Sequence, residues 1–525
     1  MTPGLYAMKP LMIFRLPKRI ISASFAIMLI FNLGCSRSML SPDAQLWSAA
    51  SSNPANPQPV TDTPQPAWLI PTHRPAGETP FAPTPDAPHI LPTLRTQTEI
   101  YTVLGGDTLA KIARRYGVSV RVIAEANNLE NPNLLEIGQV LTVPPPQPEG
   151  IGSDFKIIPD SELVYGPASV DFDVNGFVEY HNGYLAHYWE EVNGRSLSGA
   201  QIITSIAQDY SVNPRLLLAI LQYQGGWLVN KNPEKTIQDY PIGLRDPQRM
   251  GLYRQLSWAA NNLNRGYYLW KANAIATWSL TDDVLLHASP LINAGTAGVQ
   301  QFFALLYDRA NWETAVSPAG FFTTYDALFG YPFDYAIEPN LPAGLTQPPM
   351  QLPFEPNLEW AFTSGPHGGW GDGSAWAALD FAPPGDIPGC VLSDEWVTAV
   401  ADGLILRAQD GAVIQDLDGD GLEQTGWVVL YMHIETRDRV EPGTFLKAGE
   451  KIGHPSCEGG VSTGTHVHLA RRYNGEWISA DQQIPFNLDG WISSGTGNEY
   501  DGYLQRNAVS IEAYAGRSEY NILQR

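Results

Sequence analysis

At about 150 residues per domain, the 525-residue chain has room for three or four folding units, which excludes a single small module. Lys plus Arg number 32 against 54 Asp plus Glu, a formal net charge of −22, which argues against nucleic-acid binding through a basic surface. Charged residues make up only 16%, while Gly (48), Pro (43), Trp (15) and Tyr (23) are plentiful, and three cysteines are too few for a disulfide framework.

Lys9, Arg15, Lys18 and Arg19 precede an apolar run from Ile20 to Leu33, short for a bilayer span but suited to a signal-peptide core. The run closes with Asn32-Leu33-Gly34-Cys35-Ser36, which resembles a bacterial lipobox with Cys35 as the lipidated residue. Asn32 stands where the motif has an aliphatic side chain, so plain secretion or an uncleaved anchor stays open beside lipidation. Residues 1–35 are read as an export segment. From Ser36 to Leu94 there are 13 prolines and no helical or strand period, so residues 36–97 are expected to be a disordered, semi-rigid spacer.

Residues 98–144 are patterned as strand (Glu99 to Val103), Gly105-Gly106-Asp107-Thr108 turn, helix (Leu109 to Tyr116), helix (Ser119 to Asn127) and strand (Gln139 to Val143). Asp107 or Thr108 can cap the first helix. Leu109, Ile112 and Ala113, then Val120, Ile123 and Ala124, recur at helical spacing. This order, opened by YTVLGGDTLAKIARRYGV and closed by ANNLENPNLLEIGQVLTVP, resembles a LysM domain. The resemblance implies binding of N-acetylglucosamine-containing glycan between the turn and the loop after the second helix. Here those residues are Gly106, Asp107, Thr108 and Leu109 with Asn131, Pro132, Asn133 and Leu134.

After a Pro-rich linker, residues 155–340 carry long helical stretches at Gly199 to Tyr210, Pro214 to Gln224, Leu256 to Ala272 and Thr296 to Tyr307, and read as an all-α domain. Asn213 and Pro214 form a cap and a first-turn proline, and the run Leu216 to Leu221 is apolar on nearly every side, so that helix must be buried. YSVNPRLLLAILQYQGGW resembles the core helix of lysozyme-like lytic transglycosylases, in which a glutamate protonates the glycosidic oxygen. Gln224 stands in its place, and an amide cannot donate a proton as a carboxylic acid does. The domain is therefore read as a degenerate, wall-binding or spacing element.

From Met350 the pattern turns to strands, at Trp396 to Val400, Gly403 to Gln409, Gly426 to His433 and Thr465 to Arg471, giving an antiparallel sheet domain over residues 350–490 with an extension at 491–525. Five of the ten histidines fall between His367 and His468. In His466-Val467-His468 the two imidazoles share one face of a strand. SGPHGGWGDGSAWAALDFAPPG puts His367 thirteen residues before Asp380 across a Gly-rich loop, and a further histidine, His433, ends WVVLYMHIE. Together with VEPGTFLKAGEKIGHPSCEGGVSTGTHVHLA, these segments resemble the lysostaphin-type (LytM) zinc endopeptidases. The long His-to-Asp loop resembles their beta-lytic, staphylolysin-like branch.

The resemblance implies zinc ligation by His367, Asp380 and His468, with His433 and His466 as catalytic histidines outside the metal's coordination shell. Two imidazoles and a carboxylate leave a fourth position open, as in catalytic zinc sites. Cys390 and Cys457 flank the constellation and can pair in an oxidising compartment, or remain as two thiols. His454 lies outside the motif positions and reads as a loop residue. Asp416-Leu417-Asp418-Gly419-Asp420-Gly421 resembles the opening of a calcium loop, but Trp427 holds the twelfth position, and a hairpin turn accounts for the same acids.

The combined expectation is an exported multidomain α+β protein, wall-associated and either membrane-anchored or secreted. It would act as a monomer on peptidoglycan glycan and peptides, with zinc as cofactor and no nucleic-acid partner. The competing expectation is a non-catalytic wall adaptor that activates other hydrolases.

Overall fold

The computed structural model describes residue 83 and residues 87–385 and 387–525. The export segment with Cys35 and most of the spacer lie outside them. Residues 89–95, expected to belong to the spacer, are pinned down: His89 stacks on Trp270 at 4.2 Å and its N–H donates to Pro290 O, while Arg95 donates to Val143 O. Among the described residues no helix is long and apolar enough to cross a membrane.

The first unit is β1 (Glu99–Thr102), α1 (Leu109–Tyr116), α2 (Val120–Ala126) and β2 (Val140–Val143), with β1 and β2 antiparallel. Thr108 caps α1 through the Lys111 N–H and Ser119 caps α2 through the Val122 N–H. Leu109, Ile112, Ala113 and Ile123 pack on Leu141 and Val143 in a core of their own.

The helical region comprises α3 (Val174–His181), α4 (Gly199–Tyr210), α5 (Pro214–Gly225), α6 (Lys235–Asp239), α7 (Leu252–Lys271), α8 (Ala294–Ala304), α9 (Arg309–Ala315) and α10 (Phe321–Phe329). Residues Leu216 to Leu221 of α5 are fully buried, as an all-round apolar helix must be. The region is not purely α. It carries two small hairpins, β3 (Trp189–Val192) with β4 (Arg195–Ser198) and β5 (Thr277–Ser279) with β6 (Leu285–His287).

The remaining strands are β7 (Glu359–His367), β8 (Ala378–Ala382), β9 (Val397–Thr398), β10 (Gly403–Gln409), β11 (Ala412–Asp416), β12 (Trp427–Met432), β13 (Phe445–Leu446), β14 (Lys451–Gly453), β15 (Val467–Tyr473), β16 (Glu476–Trp477), β17 (Asn487–Leu488), β18 (Trp491–Gly495), β19 (Gly502–Arg506), β20 (Val509–Glu512) and β21 (Ile522–Gln524). The main antiparallel sheet runs β13-β10-β11-β12-β15-β8-β7-β21, with β16 paired to β15. Residues 491–525 are thus not an appendage: β18, β19 and β20 sit in a four-stranded sheet with β17, and β21 closes the edge of the main sheet against β7.

Side chains alternate across this sheet, and the two faces meet different partners. Val413, Val429, Tyr431, Val467, Leu469, Leu379 and Phe381 face a core built from residues 350–523. Ala412, Ile414, Val428, Leu430, Met432, Ala470, Ala378 and Trp477 join the core of the helical region. Polar contacts seal that junction. Lys271 pairs with Glu476, Arg407 with Asp209 at 2.9 Å, and Ser211 Oγ donates to Gly475 O. Gly475 itself has φ +74°, and a Cβ there would lie 2.1 Å from Tyr165 O.

Candidate metal centre

Pairing of β15 with β8 sets His468 directly opposite Asp380, and pairing of β12 with β15 sets Met432 on its other side. The face that holds His468 is the one covered by the helical region, and the centre lies at its edge. His367, the last residue of β7, reaches the same point beyond a register shift in the β7–β8 ladder. His433 follows β12 and His466 precedes β15, so strand ends deliver the four histidines and the middle of β8 delivers Asp380.

Three donor atoms converge. His367 Nε2 lies 3.0 Å from His468 Nδ1 and 3.2 Å from Asp380 Oδ1, and His468 Nδ1 lies 3.2 Å from the same oxygen. The other nitrogen of each imidazole faces a carbonyl: His367 Nδ1 faces Gly365 O at 2.8 Å, and His468 Nε2 faces Gly369 O at 3.1 Å. A carbonyl can only accept, so those outer nitrogens carry the protons and both inner ones present lone pairs. Two lone pairs and a carboxylate oxygen at these distances repel unless a cation lies among them. Donors bound tetrahedrally at zinc distances are about 3.3 Å apart. The set therefore fits a zinc ion, with Gly365 O and Gly369 O orienting the ligands from behind.

The charges around the centre keep Asp380 ionised and draw positive charge toward it. Burial alone would raise the Asp380 carboxyl, but His367 and His466 beside it hold it well below the usual range. Burial would lower His367, and the neighbouring Asp380 reverses this and pulls it up.

His433 and His466 stand beside the triad with rings 4.5 Å apart. His466 Nδ1 faces Gly464 O at 2.7 Å and its Nε2 lies 3.7 Å from Asp380 Oδ2. His433 Nδ1 faces Glu458 O at 3.0 Å, and burial followed by the nearby His466 and His468 pushes its pKa down to about 4. Its backbone φ of +66°, costly for a residue with a Cβ, is held by Ser456, whose N–H and hydroxyl both donate to His433 O.

Residues 390–480 match peptidase family M23. That stretch holds His433, His466 and His468, whereas His367 and Asp380 precede it in the chain and enter through the β7–β8–β15 ladder. Residues 156–341 match the LasA N-terminal domain and residues 101–144 the LysM domain. The chain is 26% identical over 294 residues to protease LasA of Pseudomonas aeruginosa, covering 51% of this chain and 65% of that protein, so it spans somewhat less than two thirds of that relative. It is 25% identical over 159 residues to the beta-lytic metalloendopeptidase of Lysobacter enzymogenes, 30% of this chain and 85% of that protein. Among solved structures it is similar to the M23 metalloprotease pseudoalterin, at 24% identity and a TM-score of 0.27, covering 35% of this chain and all of that one. The chain thus resembles lysostaphin-type peptidases that carry a LysM domain, and its helical region corresponds to the LasA N-terminal domain.

Cys390 and Cys457 are joined as a disulfide. It ties the 389–391 segment to the approach to the M23 region's His466: Thr465 N–H donates to Gly389 O, and Val391 N–H to Thr465 Oγ1. His454 is held elsewhere, buried against Trp396 with Nδ1 at 2.8 Å from Glu395 O. Tyr500 was not legible in the sequence. It stacks on His367 at 4.9 Å from a loop in which its own φ is +71°, and neither motif nor period marks it.

In the first unit, Gly106 and Asp107 form the turn, with Asp107 accepting from the Tyr101 hydroxyl and the Leu104 N–H. The 131–134 loop is shaped by Asn131, which accepts from the Asn133 and Leu134 N–H groups through its side chain and its carbonyl. The strand leading into the turn meets the stretch that follows this loop, where Gly138 N–H donates to Val103 O, and Leu104, Leu134 and Ile137 are exposed. Leu109 does not belong with them. Its side chain is buried at 2% exposure because its position in the first turn of α1 faces the core.

Proposed function

We propose that this chain is an exported, zinc-dependent peptidoglycan endopeptidase. Its M23 region would cleave a peptide bond of the stem or cross-bridge, and its LysM domain would hold it on N-acetylglucosamine-containing glycan. The supporting observation is the convergence of His367 Nε2, Asp380 Oδ1 and His468 Nδ1 within 3.2 Å of one another, each with its lone pair turned inward. The family match and the names of the similar proteins support the reaction class.

His367, Asp380 and His468 would hold the metal. Zinc in such a site supplies Lewis acidity toward a water molecule and a peptide carbonyl. His466 offers an open Nε2 beside the centre and takes the water's proton, and Asp380 Oδ2 at 3.7 Å stabilises the resulting imidazolium. His433, kept neutral by burial, stands against His466 as a second imidazole that fixes its orientation. Protonated His466 then returns its proton to the leaving amine, and two shorter peptides result. Binding to the polymer through the LysM domain raises the local concentration of peptide bonds without new contacts at the site.

No glycosidase step is assigned to the helical region. Gln224 at the end of α5 accepts from the Tyr307 hydroxyl and has no acidic proton to give. The lysozyme-like reading of that region rests on residues 210–227 alone, and we read the region as the cover of one sheet face. Cys35 remains the proposed lipid attachment point.

Purified cell walls incubated with the full chain should release peptides with new amino termini, identified by mass spectrometry, and chelation should stop the release. New reducing ends without new amino termini, or no release by a chain that holds zinc, would overturn the assignment.

A further inference from the structure

We propose that Asn261, on α7 of the helical region, is a positioning residue for the metal centre: it fixes the 368–374 loop so that Gly369 O locks the orientation of His468. The inference rests on reading His367, Asp380 and His468 as a metal site.

The loop that links His367 to the rest of the chain reads Gly368-Gly369-Trp370-Gly371-Asp372-Gly373-Ser374. Four glycines in seven residues give the backbone no stiffness of its own. Yet one of its carbonyls, Gly369 O, accepts from His468 Nε2 at 3.1 Å and so determines which nitrogen of His468 points at the centre. Something outside the loop must hold it.

That support comes from α7. Asn261 Nδ2 donates to Asp372 Oδ1 at 2.5 Å and Asn261 Oδ1 accepts the Gly373 N–H at 3.0 Å, a two-point grip in which donor and acceptor are both used. Arg265, one helical turn further on the same face, donates to Asp372 O. The approach is so close that a Cβ on Gly373 would lie 1.8 Å from Asn261 O. Trp370 packs edge-on against Tyr210 at the end of α4, and Gly369 lies against the Trp477 ring, whose Nε1 donates to Tyr210 O. Ser374 Oγ and Ala375 O close the loop on the Trp370 and Gly369 N–H groups. The chain of contacts runs from Asn261 through Asp372 and Gly373 to Gly369 O and His468.

A carbonyl that orients a metal-bound imidazole is worth about 10–100-fold in metal affinity, and Asn261 should carry a similar share. The experiment uses the full chain, stripped and titrated with zinc against a chromophoric chelator, with the cobalt(II) absorption spectrum as a report on ligand geometry. Asn261→Ala should weaken zinc binding by about 10–100-fold and alter the cobalt spectrum. Asn261→Asp, which sets a carboxylate against Asp372, should do the same. Adding Asp372→Asn to Asn261→Asp reverses donor and acceptor across the contact and should restore both readouts. Asp209→Asn, which removes the charge but keeps the acceptor facing Arg407 at a separate point of the same junction, should change neither. Arg265→Ala provides a milder lesion if the Asn261 variants do not fold.

A wild-type chain that binds zinc while the Asn261 and Arg265 variants bind it equally well would overturn this inference alone. Equal weakening by Asp209→Asn, or no rescue by the reciprocal pair, would reduce Asn261 to a general stability contact. A wild-type chain that takes up no zinc would overturn the metal reading and this inference with it.

Discussion

Among the described residues, the main sheet carries two clusters of potential cation ligands, one at each end of the β11–β12–β15 strands, and they differ in what their donor atoms are already doing. In both His367–Asp380–His468 and Asp416–Asp418–Asp420 the ligand atoms lie within 4.8 Å of one another. In the first, the outward-facing nitrogens take up the backbone carbonyls and the inward atoms are left to face each other, with Asp380 Oδ1 buried and lacking a hydrogen-bond partner. In the second, two of the three carboxylates are already engaged: Asp416 accepts from the Asp418, Gly419 and Gly421 N–H groups, and Asp420 from the Leu422 N–H and the Thr425 hydroxyl. Proximity of ligand types is common to both. A donor set whose protons are all turned outward belongs to the histidine cluster alone.

The sharpest way to break this contrast is to remove a ligand from each cluster. His468→Ala should abolish zinc binding and reduce wall-peptide release to background, because it deletes one of three donors and leaves the Asp380 carboxylate buried with less to balance it. Asp416→Asn should leave zinc content and peptide release unchanged. Metal analysis of both variants beside the wild type checks this, and an active, zinc-replete His468→Ala would sink the assignment of ligands.

A smaller effect separates the two kinds of histidine inside the first cluster. His466→Ala should retain its zinc and lose peptide release by about 10²–10⁴-fold, the usual size of a general-base contribution. Equal rates in variant and wild type would remove His466 from the chemistry. Zinc loss in this variant would instead place it among the ligands.

The histidine cluster was legible because strand alternation and the spacing of HVH, of the Gly-rich loop and of WVVLYMH are local properties of the chain. Its setting was not. The partner of Gly373 lies 112 residues away on a helix, and nothing in Asn261 marks it among the other asparagines of α7. The boundary at residue 490 failed for a similar reason, since β21 pairs with a strand that begins more than 160 positions earlier. A further local signal lies in β12. The unbroken apolar run of β12, buried on every residue, is the pattern of a strand covered on both faces, and it announced that a second layer must lie over the sheet. Leu109 shows the opposite case: it adjoins the turn, but its place in the helical period turns its side chain into the core.

The acidic cluster yields the most modest prediction, and the sign of its pH dependence tests whether it holds a cation. Partial desolvation, with Asp416 and Asp420 close by, raises the carboxyl of the exposed Asp418 from 3.8 to about 8, and solvent screening leaves only part of that shift as an effect on stability. Between those values the folded chain keeps a proton that the unfolded chain has lost, so stability falls as pH climbs from about 4 to 8 and then levels off. Asp418→Asn cannot titrate. In EGTA it should match the wild type near pH 4 and melt a few degrees higher at pH 8.5, with a flatter profile between, measured by thermal unfolding at constant ionic strength. If the variant melts lower than the wild type at pH 8.5 once calcium replaces EGTA, the ionised carboxylate is favourable there. Only a cation drawn in by the three aspartates would make it so, and the contrast between the two clusters would then disappear.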